Sequence, residues 1–307
     1  MGKESLKKEK LQTERCLTMI TCIATDMDGT LLNERQEISE VNKKAILEAK
    51  EKGIEVIVAT GRSYEEARYV LEEAGITCDV ICVNGAEVRN KQGEIMHQAG
   101  IPGEKAAQIS KVLNGLGIYF EVYTNQGTYT ENVEIGMEVI IDIFTTANPS
   151  VPEEKIRQSA KERFEEGGIT FVEDYGQVFR EEGQLVYKFL VFSFNDTLLE
   201  KAKELLADVT DIAISSSGKE NLEINSKDAQ KGIALEKLAK QKGHSLENTM
   251  AVGDNFNDLS MMKVVGRPVS MGNAVEEVKD FCAYTTATNK EDGVGKAIRD
   301  AMHSSVK

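Results

Sequence analysis

Residues 20–30 read ITCIATDMDGT, in which a short apolar run stops at two aspartates and a glycine. The run is rich in β-branched residues and bounded by turn residues, so it predicts a buried strand. Two further apolar runs follow, at 54–60 and 79–84, and the amphipathic stretches between the three runs, 39–52 and 63–74, have helical length. Strands and helices that alternate in this way are typical of a parallel α/β sheet with both faces covered.

The alternating pattern is interrupted in the middle of the chain. Residues 87–98 predict a β-hairpin, and the next hundred or so residues mix helices with β-rich stretches before the α/β pattern returns. We therefore predict an α/β core of residues 19–101 and 223–307, with an α+β domain of residues 102–222 inserted into it. The polar residues 1–18 are predicted to be an N-terminal extension outside the fold.

Composition and charge limit the class of protein. The 307 residues are 41% hydrophobic and 29% charged with only 4 prolines, which is the mix of a folded globular chain. A net charge of −14 argues against a nucleic-acid partner, because nucleic-acid binding is driven by neutralisation of phosphates. The five cysteines include no C-x-x-C pair, so neither a disulfide framework nor a zinc site is predicted. The sequence has no apolar run of membrane-spanning length and no signal-peptide pattern, so we expect a cytoplasmic monomer or weak dimer with no membrane partner.

Polar residues and glycines follow the predicted strands where each strand ends. These segments are Asp26-Met27-Asp28-Gly29-Thr30, Thr60-Gly61-Arg62, Asn84-Gly85 and Gly253-Asp254 through Asp258. The carboxyl ends of parallel strands meet at one edge of a sheet, where ligands bind. Four carboxylates gathered there would repel one another unless a hard cation neutralised them, and oxygen ligands favour Mg²⁺. Glycine amides and the Thr60 hydroxyl can hold an anion beside that cation, so the sequence predicts a joint magnesium and phosphate site.

Other sites that acidic or glycine-rich segments can form do not fit. An EF-hand loop beginning at Asp26 needs glycine at its sixth position, where Leu31 stands. A dinucleotide-binding fingerprint needs glycines after the first strand, where this chain has aspartates, and the Walker A pattern is absent from the sequence.

Taken in order, these segments resemble the motifs of a known family. The matching residues are Asp26-Met27-Asp28-Gly29-Thr30, Thr60-Gly61-Arg62, Asn84-Gly85-Ala86, Lys231-Gly232, Gly253-Asp254, Asn257-Asp258 and Met271-Gly272-Asn273-Ala274. They resemble the haloacid dehalogenase superfamily, specifically its Cof-type phosphatases, and the match extends from Met19 to about Ala301. The resemblance implies a Rossmannoid parallel-sheet core with an inserted α+β cap of the C2 (IIB) type.

The resemblance also implies a role for each matching residue. Asp26 would be the nucleophile that forms an aspartyl-phosphate, and Asp28 the general acid and base. The implied magnesium ligands are Asp26, the backbone carbonyl of Asp28, Asp254 and, through water, Asp258. The implied phosphate-binding groups are Thr60, Lys231, Asn84, Asn257 and the backbone amides around Gly29 and Gly61. Arg62 could contact substrate or fix a neighbouring carboxylate.

Two of these residues bear most directly on function. Lys231 is predicted to open a helix, where a cation opposes the helix dipole, so helix stability does not favour it and a functional reason is indicated. Asp28, two residues after the nucleophile, resembles the phosphatases and phosphomutases rather than the dehalogenases. We expect a magnesium-dependent phosphatase for small phosphomonoesters, such as sugar phosphates, pyridoxal phosphate or flavin mononucleotide. A sugar phosphomutase and a non-catalytic sensor of a phosphorylated ligand are the alternatives.

Overall fold

The structure is a computed structural model that describes residues 19–147, 151–165, 168–216 and 220–304. The described residues form fourteen strands: β1 Cys22–Thr25, β2 Glu55–Ala59, β3 Asp79–Cys82, β4 Glu87–Arg89, β5 Ile95–Gln98, β6 Tyr119–Thr124, β7 Gly127–Thr130, β8 Ile169–Phe171, β9 Val186–Phe192, β10 Ile212–Ser215, β11 Asn221–Ser226, β12 Thr249–Gly253, β13 Arg267–Ser270 and β14 Tyr284–Thr285. They also form eleven α-helices: α1 Glu40–Glu51, α2 Tyr64–Glu73, α3 Gly103–Gly115, α4 Val133–Ala147, α5 Glu153–Glu165, α6 Tyr175–Arg180, α7 Asp196–Leu206, α8 Lys231–Lys242, α9 Leu259–Met262, α10 Glu276–Phe281 and α11 Gly293–Ser304. Among the described helices, none is both long enough and apolar enough to cross a lipid bilayer. The predicted N-terminal extension, residues 1–18, lies outside the described residues.

The chain divides into two units, and the first is built on an eight-stranded sheet. The strand order is β14-β13-β12-β1-β2-β3-β4-β5, parallel from β14 to β3 and antiparallel in β4 and β5. Every residue of β1 is buried, as expected for a central strand covered on both faces. Thr25 pairs with Val252 on one side and Val58 on the other, so the residues that follow these strands lie along the same sheet edge. The predicted parallel α/β core is confirmed.

The helix starts near this edge differ in how they are stabilised. α2 begins with a capping box, in which the Ser63 hydroxyl accepts from the Glu66 N–H and Glu66 Oε2 accepts from the Ser63 N–H. α8 begins with Lys231-Gly232, and the preceding side chain, Gln230, does not cap the helix within the described part of the chain. A cation and a glycine in a first turn are both unfavourable, so this start depends on contacts from other elements.

The second unit is built on a six-stranded sheet in the order β10-β11-β9-β6-β7-β8. All neighbours pair antiparallel except β7 and β8, which are parallel. One face of the sheet carries Phe120, Phe189 and Ile224, which join side chains of α3 and α7 in a single apolar core. This unit is the α+β insertion that the sequence predicts.

The limits of the inserted unit differ by a few residues from the predicted 102–222. The observed unit is Ala99–Ala229. β11 pairs with β9 and β10, so it belongs to the second sheet, whereas the prediction placed residues from 223 onward in the core. At the other limit, the Ile101 N–H donates to the carbonyl of Val186 within the second unit. Sequence periodicity does not show which sheet a strand joins, and this is why the predicted boundary divided β11.

Candidate active site

Three of the predicted carboxylates meet at one point of the first unit. Asp26, Asp254 and Asp258 each offer a carboxylate oxygen, and these oxygens all lie within 4.8 Å of one another. Asp26 directly follows β1, and Asp254 directly follows β12. Because β1 and β12 are parallel neighbours, their carboxyl ends bring two distant segments of sequence together.

Lys231 lies between two of these carboxylates. Its Nζ is 2.7 Å from Asp26 Oδ1 and 2.7 Å from Asp258 Oδ1, and its side chain is fully buried. Burial lowers the pKa of Lys231, but the charges of Asp258 and Asp26 outweigh burial and raise it, so the ammonium group stays charged. The other oxygen of Asp258 accepts from the backbone N–H groups of Asp254 and Asn255 at 2.9 and 3.1 Å. Asp258 therefore fixes the loop after β12 and the ammonium group at once.

The crowding of negative charge changes the pKa values of the carboxyl groups. Burial and then the charge of Asp258 raise the pKa of Asp26 well above its usual value, although Lys231 lowers it. Burial and the charge of Asp258 also raise the pKa of Asp254 to about 7. The single positive charge of one ammonium group does not neutralise the negative charges of three carboxylates. A divalent cation that prefers oxygen ligands would supply the remaining positive charge. The donor set of Asp26, Asp254 and Asp258 therefore fits such a cation.

The turn after β1 holds Asp254 in place. Gly29 has a φ of 71°, and a Cβ there would lie 2.5 Å from Asp254 Oδ2, so only glycine fits this position. The next residue, Thr30, donates from its hydroxyl to Asp254 Oδ1 at 2.9 Å. Thr30 was not predicted to take part in the site. Its place in the same short turn as Asp28 is the signal that could have identified it.

Asp28 is paired with Arg62 and is not one of the three clustered carboxylates. Arg62 Nε donates to Asp28 Oδ2 at 2.8 Å, and a terminal nitrogen donates to Oδ1 at 2.5 Å. The same guanidinium donates to Gln36 Oε1 at 2.5 Å, a contact that sequence analysis did not suggest. Of the two roles considered for Arg62, this structure shows the one in which it fixes a neighbouring carboxylate.

Besides Lys231 and Gly29, the residues predicted to bind phosphate lie on the loops after β2, β3 and β12. Thr60 is fully buried, and its hydroxyl accepts from the Arg62 N–H at 3.1 Å across Gly61. Asn84, which has a φ of 58°, accepts at Oδ1 from Asn257 Nδ2 at 3.2 Å. The structure therefore brings Asn84 and Asn257 together, although they are 173 positions apart in the sequence.

Two asparagines near the motifs brace the backbone around this site. Asn273 Nδ2 donates to the carbonyl of Gly29 at 2.8 Å, and Asn273 Oδ1 accepts from the Asn289 N–H at 2.9 Å. Asn289 Nδ2 in turn donates to the carbonyl of Leu32 at 2.9 Å. The two residues thus support the turn after β1 at Gly29 and the chain that follows the turn at Leu32.

The sequence profile of the haloacid dehalogenase-like hydrolases matches residues 23–298. The chain belongs to the haloacid dehalogenase-like hydrolase family. Phosphatase YwpJ of Bacillus subtilis is 36% identical over 282 residues, which cover 91% of this chain and 99% of YwpJ. The 5-amino-6-(5-phospho-D-ribitylamino)uracil phosphatase YwtE of Bacillus subtilis is 35% identical over 278 residues, covering 90% of this chain and 96% of YwtE. A solved structure of a haloacid dehalogenase-like hydrolase from B. subtilis superposes with a TM-score of 0.83 at 35% identity, covering 91% of this chain and 99% of that one.

These matches agree with the motif analysis. The resemblance to the haloacid dehalogenase superfamily is confirmed, and so is the prediction that the chain is a phosphatase enzyme. The family match includes every residue of the carboxylate cluster and Lys231.

Proposed function

We propose that the chain is a magnesium-dependent phosphatase that hydrolyses small phosphomonoesters through an aspartyl-phosphate on Asp26. The observation that carries the proposal is the buried Lys231 ammonium group between Asp26 and Asp258, with a carboxylate oxygen of Asp254 within 4.8 Å of an oxygen of each aspartate. Buried charges of this kind cost free energy, and groups with strongly shifted pKa values cluster at functional sites. Phosphoryl transfer needs such charges, because it depends mainly on positioning and on neutralising the charge of the transferred group.

Two aspartates would carry the chemistry. A carboxylate oxygen of Asp26 forms a bond to phosphorus while the bond from phosphorus to the substrate oxygen breaks. Asp28, protonated, donates its proton to that oxygen, and the alcohol leaves. Water then forms a bond to phosphorus while the Asp26 oxygen departs, and ionised Asp28 takes a proton from the water. The second step releases inorganic phosphate and restores Asp26 as a carboxylate. Asp28 must separate from Arg62 before the first step, because both of its oxygens are held by the guanidinium group.

The other residues would bind and orient. Mg²⁺ would be held by Asp26, Asp254 and the backbone carbonyl of Asp28, with Asp258 acting through water, and it would supply positive charge beside the phosphoryl oxygens. The groups proposed to hold those oxygens are Lys231, Thr60, Asn84, Asn257 and the backbone amides at Gly29 and Gly61. Lys231 is the strongest of these donors, because it is already charged and desolvated in the folded chain.

The substrate class follows from the family rather than from the site. YwtE acts on a phosphorylated ribitylamino-uracil by its name, and this compound is a small metabolite with one phosphate group. We propose substrates of the same size for this chain, including sugar phosphates, pyridoxal phosphate and flavin mononucleotide.

A phosphate-release assay tests the proposed function. Purified chain would be incubated with these three classes of compound and with the YwtE compound, in MgCl₂ and in EDTA. Magnesium-dependent release of inorganic phosphate is the expected result. If a sugar phosphate is isomerised in the presence of a bisphosphate primer with little release, the chain is a phosphomutase. Saturable binding of a phosphorylated compound without turnover would identify a sensor, and either result rejects the phosphatase proposal.

Magnesium affinity is expected to fall steeply at acidic pH. The carboxyl group of Asp254 has a pKa of about 7 in the folded chain against 3.8 for an ordinary aspartate. The folded chain thus keeps a proton that the unfolded chain loses, so the metal-free fold loses stability as the pH rises from about 4 to about 7. Mg²⁺ must displace that proton at pH 5.5 but not at pH 8, so the apparent Kd should be at least ~30-fold weaker at pH 5.5.

Isothermal titration with MgCl₂ at the two pH values measures this difference. Asp254→Asn is the matched variant, and it should bind weakly at both. Equal affinity of the unaltered chain at pH 5.5 and pH 8 would contradict the prediction.

A further inference from the structure

The start of α8 is held by a side chain from a different helix. The hydroxyl of Ser260, in α9, accepts from the backbone N–H of Gly232 at 3.1 Å. This N–H belongs to the first turn of α8, whose N–H groups have no partner within their own helix. Ser260 thus does for α8 what an N-cap residue does for most helices, although it lies 28 positions further along the chain.

The same hydroxyl is also tied to the loop after β12. It donates to the carbonyl of Asn257 at 3.2 Å, so its donor and one acceptor position are both used. The side chain of Asn257 is itself proposed to hold phosphate, and the next residue along the chain is Asp258. Ser260 therefore joins the backbone of two segments that both carry site residues.

The two segments also approach as closely as backbone allows. A Cβ at Gly232 would lie 2.1 Å from the carbonyl oxygen of Ser260 and 2.4 Å from its carbonyl carbon, so any residue larger than glycine would separate them. Lys231 is the residue before Gly232, and its Nζ donates to Asp258 Oδ1 at 2.7 Å. A shift at the contact would displace the backbone from which the Lys231 side chain reaches the two carboxylates.

We propose that Ser260 is a positioning residue, whose hydroxyl fixes the first turn of α8 against the loop after β12 and so sets the place of the Lys231 ammonium group. This inference rests on the proposed function for its effect on turnover, but its structural claim stands apart from that function. It also explains why a helix can begin with a lysine and a glycine, two residues that disfavour that position when no other element assists.

The test compares three variants with the unaltered chain. Ser260→Ala removes the hydroxyl, and Ser260→Thr keeps it. Ser245→Ala is the matched control, because the Ser245 hydroxyl also accepts from a helical-turn N–H, that of Glu247 at 3.3 Å, before the amino end of β12. Each protein is examined by steady-state phosphate release at saturating Mg²⁺ and by backbone hydrogen exchange of the peptide that contains the first turn of α8.

We expect Ser260→Ala to lower kcat roughly tenfold with KM within about twofold, because positioning affects the reacting arrangement more than substrate binding. Exchange of the Gly232 N–H should become at least ~5-fold faster, in line with the loss of one hydrogen bond. Ser260→Thr should restore kcat to within about threefold of the unaltered value. Ser245→Ala should leave both kcat and the exchange at Gly232 unchanged.

Three results would overturn the proposal: an unchanged kcat in Ser260→Ala, unchanged exchange at Gly232, or no recovery in Ser260→Thr. If the unaltered chain releases no phosphate from any compound, the proposed function fails instead. The exchange experiment then still decides whether Ser260 anchors α8.

Discussion

Replacing Asp26 with asparagine is expected to lower kcat for phosphate release by at least about 10³-fold, the scale seen when a nucleophile is removed. An amide oxygen is a poor nucleophile, whereas the shape of the side chain is unchanged. Lys231 Nζ lies 2.7 Å from Asp26 Oδ1. The amide oxygen of asparagine can occupy the same place and accept the same hydrogen bond. We therefore expect the variant to fold and to bind phosphorylated compounds while failing to turn them over.

The covalent step can be observed directly as well. Acid quenching of the unaltered chain during turnover should trap one phosphoryl group on the peptide that contains Asp26, and mass spectrometry would locate it. Asp280→Asn, a change at an exposed aspartate of α10, is the matched control and should retain full activity. A phosphoryl group on another residue, or near-normal turnover in Asp26→Asn, would show that Asp26 is not the nucleophile.

Replacing Lys231 with methionine is expected to cost both activity and stability. Methionine fills a similar volume without charge, so Asp26 and Asp258 would face each other with no ammonium group between them. Removing one partner of a buried ion pair typically costs about 3–5 kcal/mol of unfolding free energy. Turnover should fall by at least about 10²-fold, because a charged donor to the transferred group is lost.

The stability loss should depend on pH in a defined direction. Lys231 lowers the pKa of Asp26, so without it this already raised pKa rises further above that of the unfolded chain. Protonation of Asp26 removes its repulsion with Asp258, so the variant should be closer to the unaltered chain at pH 5.5 than at pH 8.

Urea unfolding in EDTA at both pH values measures this loss, with Lys240→Met on the exposed side of the same helix as control. The control should stay within about 0.5 kcal/mol of the unaltered chain. A pH-independent loss in Lys231→Met would show that the lysine contributes through packing rather than charge.

The carboxylate cluster was predictable because it depends on strand direction. Asp26 and Asp254 each follow a strand that is identifiable from its apolar run, and parallel strands end at the same edge. Lys231 follows no strand, and its role could be inferred only from the family resemblance. The structure then shows it in contact with two of the predicted carboxylates.

The supporting contacts were not predictable in the same way. The hydrogen bonds from Thr30 to Asp254 and from Gly232 to Ser260 join segments whose relative placement depends on packing. No local pattern specifies which side chain faces which. Short elements are not predictable from sequence for a related reason: β8, α6 and β14 have 3, 6 and 2 residues, too few to show a period.

The order of strands in the first sheet has a consequence for how the chain folds during synthesis. β1 lies between β2 and β12, and β12 begins at Thr249, so the centre of this sheet is incomplete until most of the protein has left the ribosome. The inserted unit is one continuous segment, Ala99–Ala229, and all of its strands have emerged by then. We therefore expect the inserted unit to fold before the first unit, although the first unit begins earlier in the chain. Until β12 emerges, one edge of the apolar strand β1 stays unpaired, and an edge of this kind is prone to pair with other chains.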